Sequence, residues 1–348
     1  MSPSRARLCL ATGAVALVAL GVALWALVAQ PMMAAKIIRQ AAAAESTIPF
    51  RATARTQSIY GQGFLESEAQ ISRGTHGRGR ITYRGGAMDG VQMGSDGTRA
   101  WRYDPRTQAL FTGPPDILAQ SPLGQSHLDL MLRNHLFRLE GRETVAGRPV
   151  YRILMTPRDQ QGRSIRYWVD RDTRVVLRRE ELDTRGRKIA ETRFERIDYH
   201  SPTTSELQPP QCKPSTKTQD DTEQLGRKMK PEELAEQVGF PVLTPTYLPK
   251  GYELDGSYLF HCPNCHDTAA ETRYTNGMDS FSVFQGSSSL TQHGVGSVHG
   301  LAKVGNRQVL VWAHRDSHYA LLGDLPLDTL RRIAASLPGG DKATSRGE

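Results

Sequence analysis

The chain has 348 residues, 38% hydrophobic and 23% charged, with a formal net charge of +8. That balance suits two folded domains and excludes a disordered chain. Basic residues are interspersed with acidic ones and form no block interleaved with aromatics, which argues against a nucleic-acid partner.

Arg5 and Arg7 precede an uncharged stretch, and within it "LCLATGAVALVALGVALWALVAQ" is long enough to cross a bilayer as a helix. Residues 1–34 therefore read as an uncleaved signal anchor. A cleaved signal, with an apolar core of roughly 7 to 15 residues, is the alternative, and "MMAA" at 32–35 would be its cleavage region. The two arginines favour a cytoplasmic N-terminus and place the remaining chain outside the cytoplasm, where disulfides persist. Cys9, at the start of the apolar run, reads as a membrane-facing thiol.

"AKIIRQAAAAES" has helical spacing. Short alternating runs broken by glycine follow, from Phe50 to about Leu110, and read as antiparallel strands, with "SDG" at 95–97 marking a hairpin. "LGQSHLDLMLRNHLFRLEG" predicts an amphipathic helix with Leu128, Leu130, Met131, Leu132 and Leu136 near one face. Strands resume in "GRPVYRILMTPR", "SIRYWVDRDTRVVLRREELD" and "KIAETRFERIDYH", with a turn at "DTRG". Residues 35–200 thus predict one large antiparallel sheet, curved or partly closed, with helices against it. Residues 201–228 have a linker composition. Residues 229–338 predict a smaller α+β domain, with a hairpin turning at Asn276-Gly277, and 339–348 a polar tail.

The most reactive stretch is "HCPNCH" at 261–266. Cys262, Cys265 and His266 spell a c-type haem attachment site, but the motif sits between two predicted strands rather than in a helical wrapper. His261, Cys262, Cys265 and His266 form a candidate zinc set, although four ligands within six residues are cramped around one tetrahedral centre. The favoured reading is a structural or redox-sensing disulfide, between Cys262 and Cys265 or between one of them and Cys212, with no cofactor. No hydrolase signature occurs. His314 and His318 read as polar residues facing each other across a hairpin.

Two stretches carry a family resemblance. Residues 133–159 and 166–199, with the "G-x-x-x-VAGR" turn at 141–148, "WVDRDT" at 168–173 and a strand ending in Phe194, resemble the N-terminal domain of the MucB/RseB sigma-factor regulators. "YLPKGYEL", "YTNGMDSFSVFQ" and "LLGDLPLDTLRRIAASL" look like the second domain of that family. The resemblance implies a first domain similar to the LolA/LolB lipoprotein carriers, a half-open antiparallel β-barrel with helices at its mouth and a cavity for acyl chains. It further implies a non-enzymatic protein of the bacterial envelope that holds the extracytoplasmic domain of an anti-sigma factor until a lipid or lipoprotein ligand releases it. The uncleaved anchor and "HCPNCH" depart from the family pattern.

Trp101, Tyr103, Leu136, Phe137, Tyr151 and Trp168 are the candidate lining of a lipid pocket, against the plainer reading that they fill a core. Two other functions stay open: a lipid or lipoprotein carrier, which an intact anchor disfavours, and electron transfer through a covalent haem. A homodimer is a further candidate assembly.

Overall fold

The structure, a computed structural model, describes residues 29–60, 63–113, 127–159, 162–210, 217–220, 228–261, 268–287, 300–304, 307–323 and 325–341. Nearly all of the expected anchor lies outside them, and no helix among the described residues is long and apolar enough to cross a membrane. Cys9, Cys212, Cys262, Cys265 and His266 also lie outside, and only the backbone of His261 is described.

Helix α1 (Gln30–Thr47) begins with Pro31 in its first turn, where the missing N–H has no helical partner to lose. Ala34, Ile37, Ile38, Ala41 and Ala42 recur at helical spacing and are buried along one face. Strands β1 (Phe50–Tyr60), β2 (Gly63–Arg73), β3 (Arg78–Arg84), β4 (Gln92–Asp96), β5 (Ala100–Asp104) and β6 (Ala109–Gly113) form one antiparallel meander. Helix α2 (Leu128–Asn134) then leads into a second meander, β7 (His135–Val145), β8 (Arg148–Pro157), β9 (Ser164–Asp170), β10 (Val176–Leu182) and β11 (Lys188–Asp198).

Pairing of β1 with β11 joins the meanders into one sheet of order β12-β6-β5-β4-β3-β2-β1-β11-β10-β9-β8-β7, where β12 is Lys217–Asp220. The sheet is not closed: β7 and β12 are its edges. The expected half-open barrel is thus an open sheet, antiparallel except for the β12–β6 pair.

The expected linker is partly built into this sheet. Helix α3 (Thr204–Leu207) carries a capping box, Thr203 with Glu206, which satisfies helix donors at both positions. Glu206 also accepts two hydrogen bonds from the Arg51 guanidinium, each 2.7 Å, and Leu207 is buried. Composition reads as linker here because a four-residue helix and a four-residue strand are too short for any period to show.

The second sheet has six antiparallel strands in the order β13-β14-β15-β18-β17-β16. They are β13 (Glu253–His261), β14 (Thr268–Thr275), β15 (Ser280–Ser287), β16 (Gly300–Val304), β17 (Arg307–His314) and β18 (Ser317–Gly323). Helix α4 (Pro231–Val238) precedes the sheet, and helix α5 (Leu327–Ala335) packs Leu330 and Ile333 against Phe281, Trp312 and Leu321. Trp312 stacks on Tyr319 at 5.2 Å, and its indole N–H donates to the Pro338 carbonyl at 3.1 Å.

Two expectations are corrected. Leu136 is not on a helix: α2 stops at Asn134, and β7 alternates buried His135, exposed Leu136, buried Phe137 and exposed Arg138. In the β17–β18 hairpin His314 pairs with Ser317 and His318 with Ala313, so the two histidines point to opposite faces.

Candidate functional site

The six candidate pocket residues do not converge. Phe137 and Tyr151 pack in the layer between α1, α2 and β7–β10, together with Ile153, Met155, Ile165, Tyr167 and Val169. Trp168, next in chain to Tyr167, lies on the opposite face of β9 in another cluster with Val150, Leu177 and Phe194. There it is 3% exposed, covered by the Arg178 guanidinium 4.2 Å above its ring, and its indole donates to Glu143 at 2.6 Å. Leu136 is 47% exposed on the β7 edge, and Trp101 and Tyr103 sit on β5, in the other meander. Phe137 and Tyr151 share the apolar layer beneath α1 and α2, and alternation along β9 turns Trp168 to the other face.

The residues that carry the family resemblance build a structural knot. Ala146 and Gly147 both have positive φ, 50° and 73°, the two-residue turn that matches strand twist between β7 and β8. The turn presents Arg148, whose Nε donates to Asp170 at 2.8 Å. Asp170 is fully buried and also accepts from the backbone N–H of Asp172 (2.8 Å), that of Thr173 (3.2 Å) and the Tyr199 hydroxyl (2.9 Å). Burial pushes this carboxyl up, but the Arg148 and backbone donors outweigh it and hold it below the usual carboxylate range. The Tyr199 hydroxyl is raised, first by burial and then by the Asp170 charge.

The two sheets meet at the β14–β15 turn. Asn276 Oδ1 accepts the N–H groups of Met278 (2.9 Å) and Asp279 (2.8 Å), and Gly277 takes φ +95°. This tip is pressed against α2. A Cβ on Gly277 would lie 2.3 Å from the Met131 backbone nitrogen, closer than any side chain tolerates. Asn134, the last residue of α2, donates to the carbonyls of Asn276 (3.0 Å) and Gly251 (2.8 Å). Met278 packs into the layer beneath α1 and α2. Asp279, 2% exposed, accepts from Arg163 Nη2 at 2.7 Å and Nε at 3.2 Å. Arg163 also donates to Glu181 at 2.9 Å, and Glu181 in turn pairs with Arg179. Burial raises Glu181, but the two arginines overcome it and keep the carboxyl below its ordinary range.

Beside the joint lies a polar cleft of about 440 Å³ lined by Arg39, His127, Leu128, Asp129, Leu130, Lys228, Glu253, Leu254, Asp255 and Thr275. Polar contacts bridge the two parts here: His127 Nε2 lies 3.3 Å from an Asp255 carboxylate oxygen, and nearby Arg133 pairs with Glu253 at 3.2 Å. Sequence reasoning missed Asn134, Arg163, Met278 and Asp279 as a site. Asn276-Gly277 was the local signal, and it marks a turn, not what the turn touches. Among the described residues no group of three or more His, Cys, Asp and Glu side chains is arranged to hold a metal.

A model of the MucB/RseB N-terminal domain matches residues 110–215, which span α2 through α3 and contain the Asp170 knot. The sigma factor AlgU regulatory protein MucB of Pseudomonas aeruginosa is 26% identical over 316 residues, covering 86% of this chain and 92% of its own. The chain is thus similar to the MucB/RseB regulators, by the domain match at 110–215 and by a relative that spans most of its length. A second relative, the sigma-E factor regulatory protein RseB of Escherichia coli K12, is 24% identical over 204 residues, 58% of each chain. The fold agrees over both sheets: the solved P. aeruginosa MucA/MucB complex aligns with a TM-score of 0.58 at 20% identity, covering 88% of this chain and 97% of that one. A structure of MucB alone aligns with a TM-score of 0.54 at 19% identity, over 88% and 97% of the two chains.

Proposed function

We propose that this protein is a non-enzymatic sigma-factor regulator that works outside the cytoplasm. It binds the exported part of a membrane-spanning anti-sigma factor and shields it from proteolysis, and residues 1–34 tether it to the membrane. The observation that carries this reading is the match to MucB, a protein solved in complex with MucA, over 86% of this chain. The second, finer part is that an acyl chain seated between α1, α2 and β7–β10 is the release signal. Its support is a buried apolar layer roofed by a helix and lined by Met131, Met155 and Met278, side chains soft enough to repack around a guest.

The test is co-elution of the exported two-sheet fragment with the exported domain of the host's own anti-sigma factor. A complex with a dissociation constant of about 10⁻⁶ M or tighter, the range of specific associations, is the expected result. No complex at tenfold higher concentration overturns the regulator reading. We further propose that Cys262 and Cys265 form a disulfide. Mass spectrometry without reduction, beside a visible spectrum, separates that from haem or zinc.

A further inference from the structure

We infer that the β14–β15 tip, Asn276 to Asp279, is the gate of the acyl-chain site, and that an acyl chain enters by displacing Met278. This rests on the lipid part of the proposed function and adds to it the element that couples ligand to the rest of the molecule. Three features of the joint lead there.

Met278 is the part of the second sheet's turn that reaches the apolar layer, where it packs against the buried cluster that includes Met131, Ile153 and Met155. An unbranched thioether fills irregular space and yields it at low cost, unlike a branched side chain in a fixed rotamer. The roof over the layer is light: α1 turns Ala34, Ala41 and Ala42 toward it, with Ile37 and Ile38 as the larger contacts. The deep contacts of this helix are therefore concentrated at Ile37 and Ile38, and the alanines add little area to be lost when it shifts. Finally, the tip is held by polar contacts that can be exchanged. Asn134 holds the Asn276 carbonyl, and Arg163 holds Asp279 while keeping Glu181 as a second anion. When the tip withdraws, this half-buried arginine therefore still has a partner.

The consequence is a linkage. Withdrawal of Asn276 to Asp279 pulls on β14 and β15, which are central strands of the second sheet, and loosens the joint beside the cleft. A ligand that favours the withdrawn tip must favour whatever partner affinity goes with it, by the same factor.

The experiment titrates a dansylated fatty acid into the exported two-sheet fragment and reads dansyl fluorescence. Met278→Ala removes the plug, and Asp279→Asn weakens the latch while leaving the Arg163–Glu181 pair. Asp316→Asn, in the exposed β17–β18 turn, is the control. Both gate variants are expected to bind the probe roughly tenfold more tightly than the parent and the control, a coupling of ordinary size. Hydrogen exchange of the parent is read in parallel, with amides of residues 274–281 expected to exchange faster once the probe is bound. Equal probe affinity in parent and variants, with unchanged exchange at the tip, overturns the gate and leaves the lipid reading standing. No binding to parent or either variant overturns both. Should Met278→Ala fail to fold, Asp279→Asn and the exchange experiment decide the question.

Discussion

Asp170 and Asp279 are both buried carboxylates met by an arginine, yet they close different kinds of boundary. Asp170 sits inside one sheet, and its four partners come from β8, the turn after β9 and the residue following β11. Every group that holds it is itself held by the same ladder. Asp279 reaches from one sheet to another, and its arginine already has a second anion. A buried charge with many partners in one rigid body can be removed only by unfolding. One shared between two sheets, its carboxylate held by a single arginine, can be released.

That contrast predicts the largest effect for Asp170→Ala. It takes the acceptor from the Tyr199 hydroxyl and two backbone donors and leaves Arg148 only the exposed Asp172, and is expected to cost about 3–5 kcal/mol in urea unfolding. A loss as large for Asp279→Ala would break the comparison. Next comes Gly277→Ala, whose new methyl meets the Met131 backbone and whose φ of +95° disfavours any side chain. About 1–3 kcal/mol is expected. Gly147→Ala shares the positive φ but meets nothing within 4 Å, so it should cost less. Equal losses would show that backbone conformation, not contact at the joint, is being measured.

A smaller effect concerns pH. His135, 1% exposed, stands where α2 becomes β7, with Nδ1 2.8 Å from the Met131 carbonyl oxygen. Burial lowers the affinity of its imidazole for a proton, although Met131, Asp279 and Asp159 act the other way and Arg158 adds to the burial. The unfolded chain takes up that proton near pH 6.5. Below that pH the unfolded state binds more protons than the folded one, so stability falls with pH until the folded imidazole also titrates. Urea midpoints at pH 7.5 and 5.5 should therefore drop further for the parent than for His135→Gln. A parallel drop would exclude the imidazole as the cause. The smallest change is predicted for Leu136→Ser, within about 0.5 kcal/mol, because that side chain is already in solvent.

What the sequence showed depended on range. Gly97, Gly147, Gly186 and Gly277 mark turns that require positive φ, and each is found in a hairpin or turn where such a residue is needed. Those turns divide the chain into strands, so the division into a large and a small sheet was readable. The α2–β7 junction was not, because "LDLMLRNHLF" is apolar at helical spacing up to Asn134 and at strand spacing after it. The joint was invisible for a different reason. Arg163 and Asp279 are far apart in sequence, and nothing near either residue records that they meet. Strand alternation, by contrast, is a local rule that by itself separates Trp168 from Tyr151: β8 and β9 pair Trp168 with Arg152, on the face opposite Tyr151.

The order of strands in the large sheet also governs how the molecule can be made. The two meanders touch along a single seam, β1 against β11, where Arg51 lies opposite Asp198. A chain emerging from its N-terminus can complete the first meander early, but β1 then waits with an open flank until the whole second meander has appeared. Closing that seam is a late, long-range event, opposed by loop entropy and slow in consequence. Until it closes, β1 offers unpaired backbone to any neighbouring strand, and assembly of this protein is most exposed to misassociation in that interval.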